Sequence, residues 1–278
     1  MLVADDSSYT DVKVASIVSM GLLDLGEATR TEQVNFLLKY FRDEDNPRLV
    51  RAHIPEAVSF SVKGAQPLHY ANYKKTLANE FMNRLKSTSD ESREVQQSCV
   101  LALGILGDTD DNELDEEIRN TLYDIPSTLA DQQTRAFSLI ALGHVGSNIG
   151  SGEDSFHAIR EIQTALIRHM TRGKSQMKSW SAISLGIMSS RLNDYGLPVL
   201  SEVATALREE ARTENQPNRL GAFSIATGLA GNPESGEVLL EKLEDMKDDE
   251  ARGYLCLSLG LLNERGAIEE MRKIVLES

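Results

Sequence analysis

The stretch QSCVLALGILGD at residues 97–108 decides the fold, because variants of it return along the whole chain. Clear copies are AFSLIALGHVGS (136–147), SWSAISLGIMSS (179–190), GAFSIATGLAGN (221–232) and GYLCLSLGLLNE (253–264). Two weaker copies precede them, VASIVSMGLLDL (14–25) and IPEAVSFSVKGA (54–65). We call this stretch the phrase. Recurrence at a spacing of roughly 20–50 residues is typical of a solenoid or another repeat array.

The eighth position of the phrase shows the period. The intervals between successive copies are 40, 43, 39, 43, 42 and 32 residues, and repeats of about 40–47 residues consist of two helices each. A glycine inside a helix costs roughly 0.5–1 kcal/mol relative to alanine, so its recurrence needs a reason. We expect the backbone of a neighbouring helix to approach closely at this position, which is occupied by Gly21, Ser61, Gly104, Gly143, Gly186, Gly228 and Gly260.

A second, amphipathic helix lies between successive phrases, with apolar residues at three- and four-residue spacing. In 156–170 the apolar face is predicted to contain Phe156, Ile159, Ile162, Leu166 and Met170. The stretch 62–90 is interpreted as irregular. No segment alternates as a strand would. The sequence therefore predicts an all-α chain, a right-handed α-α superhelix (α-solenoid) of about seven antiparallel helix pairs. We expect one array over 1–278, whether or not the chain is a piece of a longer protein, with units at 11–45, 46–88, 89–125, 126–172, 173–213, 214–246 and 247–278.

The net charge and the apolar pattern of the chain disfavour nucleic acid and membranes as partners. The 278 residues carry a net charge of −14, whereas nucleic-acid binders usually present a basic face, so nucleic acid is an unlikely partner. The same charge disfavours adsorption to anionic membranes. The chain has no apolar run of the roughly 18 residues that indicate a transmembrane helix, and its start does not resemble a signal peptide. We expect a cytoplasmic location, and we expect Cys99 and Cys256 to serve as small core residues within their phrases.

No motif in the sequence indicates catalysis or a bound cofactor. The five histidines form no His-Glu pair, and two widely separated cysteines do not suggest zinc. The acidic run 108–117 lacks the glycine and glutamate that an EF-hand loop requires, so we interpret it as a solvated turn. The Gly/Ser stretch 147–152 fails the test for a phosphate-binding loop. We therefore predict no catalytic residue, no metal ligand and no cofactor.

The phrases resemble HEAT repeats. The shared form is A-x-x-A-L-G-x-x-G, preceded by a basic residue and followed by an amphipathic helix, and the best match is 243–275. The nearest variety is the HEAT-like repeat first named for phycobilisome lyases, and SLGLLN is also similar to the repeat of proteasome and cyclosome regulatory subunits. The resemblance implies a solenoid that scaffolds or binds proteins. It also implies a structural ladder between units through Arg135 and Arg252, with Asp131 and Asp249; a ligand-binding row is the alternative.

Two regions are candidate contacts with a protein partner. The first is a cationic stretch of Arg160, Arg168, His169, Arg172, Lys174 and Lys178, although cations at a helix C-terminus also match the helix dipole. The second is an aromatic insertion with Tyr70 and Tyr73. We predict a non-catalytic protein-interaction or scaffolding module with a partner of unknown identity. The alternatives are a HEAT-like nucleic-acid-binding module and a lyase-like protein acting on a bilin or another small molecule.

Overall fold

The structure, a computed structural model, describes residues 9–86, 89–129, 131–197 and 199–277. Every regular element among these residues is helical, which confirms the predicted all-α class. The chain divides into two compact units, and the division falls within one helix. The first unit comprises Met1–Asp108 and Asn112–Ala141, and the second comprises Thr109–Asp111 and Leu142–Ser278. The predicted boundary at residue 88 and the last residue of the final predicted repeat lie outside the described residues.

The described part of the first unit contains eight α-helices, of which the last crosses the division. They are α1 Thr10–Leu22, α2 Glu27–Arg42, α3 Arg48–Arg51, α4 Ile54–Val62, α5 Pro67–Arg84, α6 Arg93–Leu106, α7 Glu113–Thr128 and α8 Gln132–Ser147. Helix α7 continues past residue 125, where a repeat boundary is predicted. The helices that contain the phrase, which we call phrase helices, pack on one another in the order α1, α4, α6. Helices α2 and α5 pack beside α4, and α7 packs beside α5.

The second unit repeats this arrangement. Its helices are α9 Ile159–Arg172, α10 Ser175–Asp194, α11 Ser201–Thr213, α12 Pro217–Ala230, α13 Gly236–Asp245, α14 Asp249–Leu261 and α15 Ile268–Glu277. The phrase helices α10, α12 and α14 stack in sequence, and α9, α11 and α13 stack in sequence beside them. Each unit is therefore a stack of helix pairs, as in an α-solenoid.

Five of the six phrase glycines occupy contacts between phrase helices, as the sequence predicts; the prediction is wrong for Gly260, which has no heavy atom of another element within 4 Å. A Cβ added to Gly104 would lie 2.7 Å from the Cα of Ala141, and one added to Gly186 would lie 2.7 Å from the Cα of Ala226. Gly143 and Gly228 meet the next phrase helix in the same way, at Ser184 and Ser258. In these four contacts the facing residue holds the sixth position of its phrase and is always small. Gly21 is also close to its neighbour, but it faces Ala57, at the fourth position.

Two sequence predictions about local structure are wrong. The stretch 62–90 is not irregular, because α5 occupies most of it and begins at Pro67, where the missing N–H costs nothing. Phe156 does not belong to the amphipathic helix, since α9 begins at Ile159 and Phe156 is largely exposed. The other four predicted apolar residues of α9 are buried. Among the described residues, no helix combines the length and apolar character that crossing a bilayer requires.

Candidate interaction surface

Helix α9 separates apolar from basic residues. Ile159, Ile162, Leu166 and Met170 face the core, whereas Arg160, Arg168 and Arg172 are exposed on the opposite side. Arg168 and Arg172 are four residues apart, so their side chains are neighbours on one face. The helix ends at Gly173, whose N–H donates to the His169 carbonyl, and Lys174 follows directly as the exposed N-cap of α10. The turn therefore places three cations within seven residues.

The next feature of these three cations is the lack of an ion-pair partner within the described ranges. No ion pair joins Arg168, Arg172 or Lys174 to a carboxylate among the described residues. We call these three residues the basic surface. They are exposed on a chain that carries a net charge of −14.

The other predicted members of the cationic stretch are partly neutralised. Lys178 is half-buried, and its Nζ lies 3.5 Å from Glu210 Oε2. Arg160 lies near Glu202, whose pKa is lowered by hydrogen bonds from its own backbone amide and Ser201, and by the charge of Arg160. Burial, and then the charge of Arg168, lower the pKa of His169, so its imidazole is neutral at pH 7. These three residues frame the basic surface, and Lys178 and His169 add no free positive charge to it.

The two predicted contact tyrosines lie in α5 and bind within the first unit. The Tyr70 hydroxyl donates to the Leu106 carbonyl at 3.4 Å, and the Tyr73 hydroxyl lies 2.6 Å from Thr31 Oγ1. Both rings are half-buried. Burial, foremost, raises the pKa of Tyr70, so its hydroxyl stays protonated and can donate. The contacts indicate that these tyrosines join α5 to its neighbours.

A buried ion-pair cluster near Tyr70 is not evident from the sequence. Lys74 Nζ lies 2.6 Å from Asp108 Oδ2 and 2.7 Å from Asp115 Oδ2. Lys74 is 7% exposed and Asp115 is 1% exposed, so the interpretation of 108–117 as a solvated turn is wrong for these acids. Burial alone would lower the pKa of Lys74, but the charges and hydrogen bonds of the two carboxylates outweigh it and raise that pKa.

The hydrogen bonds of Asp115 explain why this carboxylate lies in the core. Its Oδ1 accepts from the Asp108 backbone N–H at 2.9 Å, and its Oδ2 accepts from Asn112 Nδ2 at 2.7 Å as well as from Lys74. Asn112 in turn caps α7 by accepting from the Asp115 backbone N–H. Buried charges are tolerated when they are paired and hydrogen-bonded in this way. The cluster therefore stabilises the start of α7.

A second cluster joins α2, α3 and α5. Glu91 accepts hydrogen bonds from Arg51 Nη2 at 2.7 Å and from Arg84 Nη1 at 2.8 Å. Both guanidinium groups also lie over the Phe41 ring, at 5.6 and 5.2 Å from its centroid. Arg51 and Glu91 are almost fully buried. Arg84 also pairs with Glu80 at 3.4 Å and with Glu44 at 3.5 Å. Because each guanidinium group has an acidic partner and an aromatic face, this cluster is a structural clamp.

The predicted arginine ladder has a different form. Arg135 Nε donates to the Leu129 carbonyl, and Arg252 pairs with Asp249 within its own helix, so both observed bonds are local. The bond between repeats comes instead from Gln97 Nε2, which donates to Asp131 Oδ2 at 2.9 Å. Gln97 lies inside the phrase, whereas the predicted position precedes it. Of the two phrase cysteines, Cys99 is buried and Cys256 is half-buried, and both are free.

Comparisons with solved structures align the chain with engineered and designed proteins. One engineered protein from the Northeast Structural Genomics Consortium aligns with a TM-score of 0.45 and 16% identity over 83% of this chain and 96% of that one. A designed armadillo repeat protein aligns at 0.42 and 13%, over 81% and 98%. Another engineered protein from that consortium aligns at 0.46 and 15%, over 98% and 71%. No protein-family profile and no curated protein matches the chain. The repeat architecture therefore rests on the packing of this chain's own helices.

Proposed function

We propose that this chain is a non-catalytic protein-binding module of HEAT-like type, and that its basic surface binds an acidic segment of a partner protein. The observation that carries the proposal is the exposure of Arg168, Arg172 and Lys174 without an ion pair to a carboxylate among the described residues. The chain has 43 acidic and 29 basic residues, so an unpaired basic cluster departs from its overall charge balance.

The chemistry of the basic surface favours carboxylates. Arginine binds a carboxylate through two parallel N–H donors, and two arginines one helical turn apart can each hold one side chain of a short acidic run. Lys174 adds a point charge at the turn. Since all three cations are exposed, salt will screen the attraction over about 8–10 Å and weaken binding.

A nucleic acid fits these observations less well. A protein that neutralises several phosphates gains affinity from each one, so a nucleic-acid site is usually an extended basic face. The basic surface spans only one helix end and one turn, within an acidic chain. A duplex would bring further phosphates towards acidic regions. A short acidic peptide segment avoids this repulsion.

The test compares three proteins for binding to an immobilised poly-glutamate peptide at low and physiological salt. They are the wild type, Arg168→Glu/Arg172→Glu/Lys174→Glu, and the control Arg191→Glu/Lys247→Glu/Arg265→Glu. The control makes the same change in charge with three exposed cations dispersed over the same unit. We expect the first variant to lose at least tenfold in affinity and the control to lose much less.

Two results would contradict the proposal. Equal loss in the two triple variants would show that net charge, and not the basic surface, drives the binding. Tighter binding of a DNA duplex than of the peptide at matched salt would favour the nucleic-acid alternative. Capture from a cell extract with the same three proteins then identifies the partner, as a protein retained by the wild type and the control only.

A further inference from the structure

The last phrase helix exposes two apolar positions that are half-buried in the phrase helices α10 and α12. Positions five and nine of the phrase hold Ile183 and Ile187 in α10, and these side chains are half-buried. In α14 the same positions hold Leu257 and Leu261, which are 61% and 51% exposed. The cause is the stacking order, because α12 lies between α10 and α14, whereas α14 has a phrase helix on one side only among the described residues.

The glycine of the last phrase, Gly260, also has free space around it. A Cβ added to Gly228 would meet the Ser258 carbonyl oxygen of the next phrase helix at 2.9 Å. A Cβ added to Gly260, at the same position, has no heavy atom of another element within 4 Å. Together Leu257, Gly260 and Leu261 form an apolar strip with the residue types that receive a further phrase helix elsewhere in the chain. We call it the C-terminal face.

The first phrase helix exposes the matching half of this contact. Position six, which faces the preceding glycine in the later repeats, is Ser19 in α1, and this small side chain is exposed. Positions five and nine are Val18 and Leu22, which are 44% and 74% exposed. These residues form the N-terminal face. It has the small residue and the flanking apolar side chains that a phrase helix presents to the repeat before it.

We propose that the C-terminal face of one copy binds the N-terminal face of a second copy, so that α14 packs against α1 as consecutive phrase helices pack within the chain. In this contact Gly260 would receive Ser19, as Gly143 receives Ser184 and Gly228 receives Ser258. The occupant is a second copy because the same chain carries both halves of the contact. The interaction uses none of the residues of the basic surface and is independent of the proposed function.

Such a contact joins two different surfaces and does not close on itself as a two-fold dimer does. Heterologous contacts of this kind generate either rings or open chains of copies. Binding would bury Val18, Leu22, Leu257 and Leu261, and the removal of apolar surface from water would drive it. We therefore expect assembly to increase with protein concentration and to be largely insensitive to salt.

The test is sedimentation velocity over a concentration series up to about 100 μM, where an interface with a micromolar Kd would be nearly saturated. Leu257→Glu/Leu261→Glu disables the C-terminal face, and Val18→Glu/Leu22→Glu disables the N-terminal face. Leu49→Glu/Leu68→Glu is the control, because both leucines are exposed outside the two faces. We expect the wild type and the control to assemble and each single-face variant to sediment as a monomer.

Mixing the two single-face variants distinguishes a contact between two different faces from a contact between two identical faces. Each retains the half that the other has lost, so an equimolar mixture forms one intact contact and sediments as a dimer with no larger species. A wild type that stays monomeric throughout the series overturns the proposal. Assembly that survives loss of the N-terminal face also overturns it, since that result indicates a contact between two identical faces.

Gly260→Leu separates binding from folding. The position is open in the single chain, and leucine favours a helix more than glycine does, so the variant should unfold at a higher temperature than the wild type when both are dilute. Its side chain would nevertheless fill the space that Ser19 needs, so assembly should be lost. Unchanged assembly of this variant would overturn the proposed contact.

Discussion

The two compact units differ in where they place their basic side chains. The first unit buries five basic side chains, whereas the second buries no lysine or arginine among its described residues; the five are Lys13, Arg30, Arg51, Lys74 and Arg119. In the first unit, Asp115 neutralises Lys74 and Glu91 neutralises Arg51. The second unit leaves Arg168, Arg172 and Lys174 on its surface. The same repeat can therefore either enclose its basic side chains or expose them.

The contacts between phrase helices are shared by both units. Gly104 in the first unit and Gly186 in the second bring the next helix to the same distance. The shape of the phrase helix contact is therefore common to the repeats, and the charged clusters are additions to it. Substitutions at the phrase glycines and in the charged clusters can therefore measure separately what the helix contacts and the charges contribute to stability.

The largest effect is expected from Lys74→Met. Removing the cation leaves two carboxylates close together in the first unit, and breaking a buried ion pair from one side costs about 3–5 kcal/mol. Urea unfolding of the variant should show this loss. Lys75→Met, which changes the exposed neighbour, should alter the free energy of unfolding by no more than about 0.5 kcal/mol. Equal losses in the two variants would contradict the role assigned to the cluster.

The next largest effect is expected from Gly186→Ala in the second unit. The added methyl group would collide with the backbone of α12 at Ala226, and overpacking costs about 1–3 kcal/mol. Gly253→Ala is the matched change in α14, where nothing lies within 4 Å, and it should stabilise by about 0.5–1 kcal/mol. Thermal unfolding of dilute protein measures both. A stabilising Gly186→Ala would show that the helices can separate at little cost.

A smaller, gradual effect is expected at alkaline pH. The raised pKa of Lys74 means that the cluster contributes fully below the pKa of an unfolded lysine, about 10.4, and loses its contribution as the pH rises through the folded pKa. The difference in free energy of unfolding between the wild type and Lys74→Met should therefore shrink above about pH 10.4. A difference that stays constant up to the highest pH at which the chain folds would argue against this coupling.

The smallest effect on stability is expected from Arg168→Glu/Arg172→Glu/Lys174→Glu. Exposed side chains without partners contribute little, so each substitution should change the free energy of unfolding by no more than about 0.5 kcal/mol. The same variant should lose most of its affinity for the acidic peptide. Urea unfolding and peptide binding measured on one preparation check both statements. Loss of stability together with binding would indicate that the basic surface also supports the fold.

Part of the buried cluster could have been found in the sequence. Tyr70, Lys74, Leu77 and Phe81 follow one another at helical spacing, so Lys74 occupies a position on an apolar face. A lysine there needs an acidic partner, because an unpaired buried charge is costly. The interpretation of 62–90 as irregular hid this pattern. The identity of the partners could not have been read in the same way, since they lie 34 and 41 residues away along the chain.

The sequence by itself determined the helical repeat and the use of glycine where phrase helices meet. Both follow from local periodicity and from the cost of glycine within a helix, and the contact of Gly104 with Ala141 confirms them. Only the tertiary structure decided which charged residues are internal and which are exposed. Lys74 and Lys174 are chemically identical, but Lys74 is buried between two carboxylates, whereas Lys174 is the exposed N-cap of α10. Burial and pairing depend on neighbours that folding brings together, and spacing along the chain does not specify them.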